Sequence, residues 1–181
     1  ANPSITADAV LPAILYGQFL FNALYLGFSM GVAPVISFQY GAKNSEKLSN
    51  VYHISNRFVK ISSGFMAVAS ILLAKPITSV FVSESSHTFA MTVTGFALFG
   101  INYLFSGYNV FTSSLFTALS DGKTSALVSF SRTFVCILAS LLILPQIIGL
   151  KGVWLAVPVA EFVTSGLSFY CQRKNLSKYG I

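Results

Sequence analysis

Charged residues are scarce in this chain of 181 residues, since only 9% of them are Asp, Glu, Lys or Arg. Roughly a quarter of the residues in ordinary soluble domains are charged. A soluble domain with so few charges could not cover its surface with polar groups. Acidic residues are the rarest, with 5 against 11 basic ones. The composition therefore excludes an ordinary soluble domain and indicates a protein surrounded by lipid.

The residue types that build catalytic and metal sites are also few. Cys136 and Cys171 each lie in an apolar run, and neither they nor His53 and His87 have partners at metal-ligand spacing. The chain has no Walker lysine motif, no Ser-His-Asp set and no paired acids. We therefore expect no enzyme activity, no metal site and no cofactor.

Hydrophobic residues make up 54% of the chain and are gathered in long runs. A bilayer core of about 30 Å needs about 20 helical residues to cross it, and five runs reach that length. Their approximate bounds are residues 8–40, 56–82, 87–119, 124–144 and 153–171. The runs do not alternate apolar and polar residues as the strands of membrane barrels do. We predict an all-α polytopic transmembrane bundle that forms one membrane domain over residues 1–181.

The basic residues are divided unevenly between the two ends of these runs. One end carries Lys43, Lys47, Arg57, Lys60, Lys123, Arg132, Arg173, Lys174 and Lys178, and the other carries Lys75 and Lys151. The positive-inside rule then predicts an N-terminus outside and a C-terminus in the cytoplasm. Because the basic residues recur at run ends and form no single patch, the net charge of +6 does not indicate a nucleic-acid partner. The chain begins without Met, and we expect it to come from a longer protein with at least one span before it.

Polar side chains recur at helical spacing inside four of the runs. In lipid such residues mark the faces that contact protein or water. The stripes are Gln18, Asn22, Tyr25 and Ser29; Asn102, Ser106, Asn109 and Ser113, flanked by Tyr103 and Tyr108; Ser125, Ser129, Arg132, Cys136 and Ser140; and Glu161, Thr164, Ser165, Ser168 and Gln172. Hydrogen bonds between helices explain any one stripe equally well, at about 0.6 kcal/mol per contact. Four together favour a solvated cavity, with candidate lining residues Gln18, Asn22, Tyr25, Asn102, Tyr103, Ser106 and Asn109.

Two ionisable residues lie deep within these runs. Glu161 is about 12 Å from the outer end of the fifth run, and Arg132 is about 13 Å from the inner side. Each would cost about 2.5–3.5 kcal/mol unpaired in lipid. Since the two runs are consecutive and antiparallel, we predict that Arg132 and Glu161 form a buried pair or face a common wet cavity. The pair either fixes helix register or makes Glu161 a proton or cation site.

The end of the first run carries a family resemblance. The segment Gly31-Val-Ala-Pro34-Val-Ile-Ser37-Phe-Gln-Tyr40-Gly41-Ala42-Lys43-Asn44 resembles the end of the second helix of each half in the multidrug and toxin extrusion (MATE) family. The segments Ser129-Phe-Ser131-Arg132, Leu144-Pro145 and Gly149-Leu-Lys-Gly152-Val-Trp154-Leu-Ala-Val-Pro158-Val-Ala-Glu161 are similar to the bacterial MepA-like branch. The resemblance covers essentially the whole chain. It implies helices eight to twelve of a twelve-helix, two-lobe transporter, which is a C-terminal lobe without its first helix.

The resemblance implies a secondary active antiporter of the bacterial cytoplasmic (inner) membrane. Such a protein exports cationic or amphipathic drugs in exchange for H⁺ or Na⁺, and its partners are the bilayer, the drugs and the N-terminal lobe missing here. The usual ion-site acid of the absent helix cannot be assigned, and the third run has no carboxylate. Glu161 is therefore the coupling candidate, with Arg132. Tyr103, Tyr108 or Phe105 would bind a cationic ring by cation–π and dispersion contacts.

Two other functions are compatible with the same sequence. A flippase of lipid-linked oligosaccharides shares the lobe architecture, but would be expected to carry more basic residues in its cavity than Arg132 alone. A channel or a structural membrane subunit is the third possibility, although four unlike polar stripes fit no simple symmetric pore.

Overall fold

The computed structural model describes residues 3–81, 83–84 and 87–181, and the side chains of residues 16–80, 83–84, 89–149 and 151–181. All regular structure in these residues is helical. The α-helices are α1 (Pro3–Gly41), α2 (Ser45–Phe81), α3 (His87–Gly100), α4 (Tyr103–Ala118), α5 (Gly122–Phe130), α6 (Ile137–Ile148) and α7 (Leu150–Asn175). A π-helical segment, Ser131–Cys136, joins α5 to α6, and a 3-10 turn, Leu176–Tyr179, follows α7.

Four stretches of the described residues are long and apolar enough to cross a membrane. They are Tyr16–Gly41, Ser45–Val80, Gly122–Ile148 and Lys151–Tyr179. A fifth crossing is formed if the bent pair Phe89–Gly100 and Tyr103–Ala118, at 43° to each other, counts as one span. The structure thus confirms the predicted polytopic helical bundle.

The third run is broken, although its sequence predicts one helix over residues 87–119. Ile101 and Asn102 donate their backbone N–H groups to Leu98 and Phe99 in short i→i−3 bonds, which end α3. The Asn102 side chain adds a hydrogen bond from Nδ2 to the Phe99 carbonyl at 2.9 Å. Gly100 packs so closely on the Ser70 side chain that a Cβ would collide with its hydroxyl. Gly100 therefore lets the end of α3 lie close to α2, and Asn102 closes the turn that ends α3.

The first loop is much shorter than the predicted residues 42–55, because α2 begins at Ser45. Asn44 is the cap of this helix, and its Oδ1 accepts a hydrogen bond from the backbone N–H of Lys47 at 3.0 Å. The added turns bury Leu48 and Tyr52 against the bundle. Apolar content marks where α2 enters the hydrocarbon, whereas the cap marks where the helix starts.

The loop predicted at residues 145–152 is also shorter in the structure. Helix α6 continues through Pro145 to Ile148, and α7 begins at Leu150. Gly149, with φ of 61°, makes the turn between them. Val82, the predicted end of the second span, lies outside the described residues, as do Ser85, Ser86 and the side chain of His87.

Helix α4 forms the centre of the bundle and packs against α1, α2, α5 and α7. Its half near the basic end buries Phe111, Leu115 and Phe116 in one apolar cluster. Its other half contributes Tyr103 to a second cluster with Tyr25. Tyr103, Ser106, Asn109 and Thr112 on α4 are thereby buried against neighbouring helices, which positions the site below.

Because α6 and α7 approach each other closely at Gly152, adding one methyl group there should strongly reduce the stability of the protein. A Cβ added at Gly152 would lie against the backbone of Leu144 and 2.7 Å from the backbone nitrogen of Pro145. Because backbone atoms cannot rotate away, Gly152→Ala should destabilise the protein by about 1–3 kcal/mol or more. The check is thermal unfolding of the purified protein in detergent. Gly166→Ala is the control in the same helix, since its Cβ would meet nothing within 4 Å, and an unfolding temperature for Gly152→Ala as high as this control's would contradict the prediction.

Candidate functional site

The carboxylate of Glu161 is the centre of a buried polar cluster, with only 2% of the residue exposed. Its Oε1 accepts a hydrogen bond from Arg132 Nε at 2.7 Å. Its Oε2 accepts a second one from Asn109 Nδ2, also at 2.7 Å. The structure therefore forms the Arg132–Glu161 pair expected from the sequence, and adds Asn109 as a third member. Charge-assisted hydrogen bonds of this kind are about twice as strong as neutral ones.

Arg132 reaches Glu161 from the π-helical segment Ser131–Cys136. A π-helical turn holds one more residue than an α-helical turn, so it rotates the following side chains relative to a regular helix. The side chain of Arg132 is 23% exposed, whereas that of Glu161 is 3% exposed. The Arg132 side chain thus reaches the surface of the bundle, while the Glu161 side chain is enclosed.

Asn109 uses all of its hydrogen-bonding groups to connect α4 with α7. Its Nδ2 also donates to the backbone carbonyl of Glu161 at 2.9 Å. Its Oδ1 accepts from Ser168 Oγ at 2.8 Å. Ser165 Oγ donates to the same Glu161 carbonyl at 2.9 Å. This pattern fixes which amide atom faces the carboxylate, because only a donor can face Oε2.

A second set of polar contacts continues from this site toward the basic end of the bundle. Gln172 Nε2 donates to Thr112 Oγ1 at 2.7 Å, and Tyr52 OH donates to Gln172 Oε1 at 2.8 Å. Helices α2, α4 and α7 are thus joined by side chains one turn beyond Asn109 and Ser168. Tyr52 was missed from the sequence because it lies in the predicted loop, and the cap at Asn44 is the signal that could have found it.

The second and third stripes meet in a group of hydroxyls between α4 and α5. The Ser113 hydroxyl lies 2.5 Å from that of Ser129 and 3.1 Å from that of Ser125. Thr117 Oγ1 lies 2.7 Å from Ser125 Oγ. Hydrogen bonds between helices account for these hydroxyls, which is one of the two explanations that the sequence leaves open for a single stripe.

The seven candidate cavity residues are not equivalent in the structure. Tyr25, Asn102, Tyr103, Ser106 and Asn109 are buried against other helices of the lobe. Tyr25 OH, for example, donates to the Tyr103 carbonyl at 3.0 Å.

The other two candidates, Gln18 and Asn22, are half-buried and keep exposed surface. Ser29 Oγ, Asn102 Oδ1 and Ser106 Oγ are buried without a hydrogen-bond partner among the described residues. Such atoms are the ones that bind internal water.

A family model described as MatE matches residues 12–142, well over half of the chain. The chain belongs to the MatE family. The resemblance to MATE transporters found in the sequence is thus confirmed, while the MepA-like branch stays a prediction. Arg132 and Asn109 lie inside the matched residues and Glu161 lies beyond them.

Solved MatE-like structures share the fold of this chain. An outward-facing multidrug resistance MATE family transporter of the MOP superfamily has a TM-score of 0.87 at 21% identity, covering 96% of this chain and 39% of that one. A MATE structure in complex with MaL6 has a TM-score of 0.87 at 20% identity, with 96% and 40% covered. A MOP superfamily transporter from Pyrococcus furiosus has a TM-score of 0.86 at 20% identity, with 97% and 40% covered.

The chain therefore spans about two fifths of the solved chains that it matches. No curated protein sequence matches it. At identities below 25% these structures establish the fold of the MatE chain, which is that of a multi-pass membrane protein.

Proposed function

We propose that this MatE chain forms most of the C-terminal lobe of a secondary active antiporter. The transporter exports cationic or amphipathic drugs in exchange for H⁺ or Na⁺ across the bacterial cytoplasmic membrane. Coverage of about two fifths of related chains supports an arrangement in which an N-terminal lobe completes the transporter. The excess of basic residues at one end of the bundle supports an N-terminus outside and a C-terminus in the cytoplasm.

The observation that carries the proposal is the buried carboxylate of Glu161 between Arg132 and Asn109. An ionisable residue inside a membrane domain is a functional-site hypothesis by default. Protonation of Glu161 removes the charge that attracts the guanidinium and one of the two acceptor oxygens. The freed Arg132 then favours an arrangement of α5–α6 in which it reaches water. A proton can shift the balance of inward and outward states only if it binds Glu161 with different affinity in the two states.

We assign the substrate contacts to candidate residues whose side chains are partly exposed. Gln18 and Asn22 on α1 are half-buried, as are Phe105 and Tyr108 on α4. A cationic ring would stack on these aromatic side chains and donate a hydrogen bond to the amide oxygen of Gln18. Tyr25, Asn102, Tyr103, Ser106 and Asn109 would join them only if the helices of the lobe separate.

The flippase alternative is less well supported by the site. A cavity for an anionic sugar lipid needs free positive charge, and the guanidinium of Arg132 is neutralised by Glu161 at 2.7 Å. In a purely structural subunit the Arg132–Glu161 pair would only fix helix register. The gradient experiment below and the Glu161→Gln variant distinguish that role from ion coupling.

Export of a fluorescent organic cation from cells that make the full-length protein tests the proposal. One of the two ion gradients, of H⁺ or of Na⁺, should drive export. We expect efflux to fall to the level of cells with empty vector when that gradient is collapsed, and to continue when the other one is collapsed. The pH and Na⁺ gradients are therefore dissipated in separate experiments. Efflux that is absent, or that is insensitive to both treatments, would rule out an antiporter of these substrates.

A further inference from the structure

A groove on the surface of the bundle adjoins the polar contacts around Glu161 but contains neither Glu161 nor Arg132. It lies over α4 between α2 and α7 and consists of two adjoining cavities of about 220 and 240 Å³. Lys60, Tyr108 and Phe169 line both cavities. We call this feature the α2–α7 groove.

The cavity nearer the basic end of the bundle is polar and positively charged. Lys60 from α2 and Arg173 from α7 both line it. The one ion pair among the described residues joins Arg132 to Glu161, so neither cation is neutralised by an acid there. The next basic residue on α7 differs, because Lys174 donates to Tyr170 OH at 3.3 Å. The α2–α7 groove thus holds two cations free to bind an anion.

The same cavity has a polar wall that is held in place. Tyr52 OH donates to Gln172 at 2.8 Å, and Asn56 Nδ2 donates to Tyr52 OH at 3.2 Å. Tyr52 and Gln172 are buried. Because these contacts tie α2 to α7, they set the spacing of the two helices that carry Lys60 and Arg173.

The second cavity of the groove is mainly apolar. It is lined by Leu104, Phe105 and Phe169 and reaches Ser165, which lies eight residues from Arg173, or about 12 Å along α7. Phe169 is 57% exposed, and Ile61 on the adjoining face of α2 is 63% exposed. The α2–α7 groove therefore changes from cationic and polar to apolar as it leaves the basic end.

We propose that the α2–α7 groove binds an anionic phospholipid. Its phosphate lies between Lys60 and Arg173, and its acyl chain follows Leu104 and Phe169. Basic pockets between transmembrane helices near the membrane surface bind acidic head groups in this way. A zwitterionic lipid would bring an ammonium group to a cavity whose two charged residues are already cationic.

Native mass spectrometry of the full-length protein in detergent, titrated with phosphatidylglycerol, tests this proposal. Each basic residue near a membrane surface contributes about 1 kcal/mol to binding an acidic lipid, which is about five-fold in affinity. The double variant Lys60→Gln/Arg173→Gln should therefore bind phosphatidylglycerol roughly 30-fold more weakly. The matched control is Arg57→Gln/Lys174→Gln, which removes the same charge from the same two helices but does not line the groove.

Three outcomes would overturn the proposal. An equal loss in both double variants would mean a general effect of charge and no site. Equal binding of phosphatidylcholine with the same acyl chains would mean that the anionic head group is not recognised. Displacement of the lipid by inorganic phosphate at the same concentration would mean a small-anion site that makes no use of the apolar cavity. None of these readouts depends on transport, so they stand apart from the antiporter proposal.

Discussion

Cells that make the Glu161→Gln variant should lose coupled export of a fluorescent organic cation, with efflux at least about ten-fold below that of the unmodified protein. Gln has nearly the shape of Glu and offers one acceptor oxygen to Arg132, but it carries no charge and binds no proton at neutral pH. Asn109 Nδ2 keeps its second acceptor, the backbone carbonyl of residue 161 at 2.9 Å. Loss of a general acid–base or coupling group commonly costs two or more orders of magnitude in rate. The measurement is initial efflux rate, normalised to the amount of protein in the membrane.

The matched control for this variant is Glu46→Gln. Glu46 lies in the first turn of α2 and is exposed, so the same chemical change there should leave efflux unaltered. Full export by Glu161→Gln would reduce the Arg132–Glu161 pair to a structural role. The gradient experiment would then still decide whether the protein is an antiporter.

The membrane fold and the ion pair could be predicted from the sequence for one physical reason. Apolar runs reveal which segments cross lipid, and a charge inside such a run must find a partner. Arg132 and Glu161 are the two charges deep in consecutive runs, so pairing them requires no knowledge of side-chain packing. The role of Asn109 could not be predicted in this way. A neutral amide in a polar stripe can bind water, a hydroxyl of another helix or a carboxylate, and the sequence does not distinguish these partners.

The features that were missed depend on backbone geometry more than on hydropathy. The break between α3 and α4 occurs at the i→i−3 backbone hydrogen bonds of Ile101 and Asn102, which hydrophobic periodicity does not reveal. The π-helical segment that presents Arg132 contains no glycine or proline to mark it. The start of α2 was detectable, since Asn44 is a good N-cap residue before a helical pattern. Burial of most candidate cavity residues follows from how α1, α2 and α4 pack together.

We expect the effects of substituting Arg132 and Glu161 on the free energy of unfolding to depend on each other. Removing one partner of a buried pair typically costs about 3–5 kcal/mol, because the other charge is left in a medium of low dielectric. Arg132→Met leaves a carboxylate whose side chain is 3% exposed, whereas Glu161→Leu leaves an arginine whose side chain is 23% exposed and therefore closer to water. Arg132→Met should therefore be the more destabilising single change. Thermal unfolding in detergent, with all four members of the cycle compared, measures the difference.

The double variant Arg132→Met/Glu161→Leu should be more stable than either single variant. Replacing both partners by apolar side chains of similar volume removes the charges together and leaves no uncompensated charge. The interaction energy from the cycle should reach about 2–3 kcal/mol, the upper part of the range for residues in contact. Additive effects of the two single changes would show that the 2.7 Å contact contributes nothing to the fold. A different result would separate the two roles of the pair. If the cycle shows strong coupling and the double variant folds but does not export, the charges are dispensable for structure and required for transport.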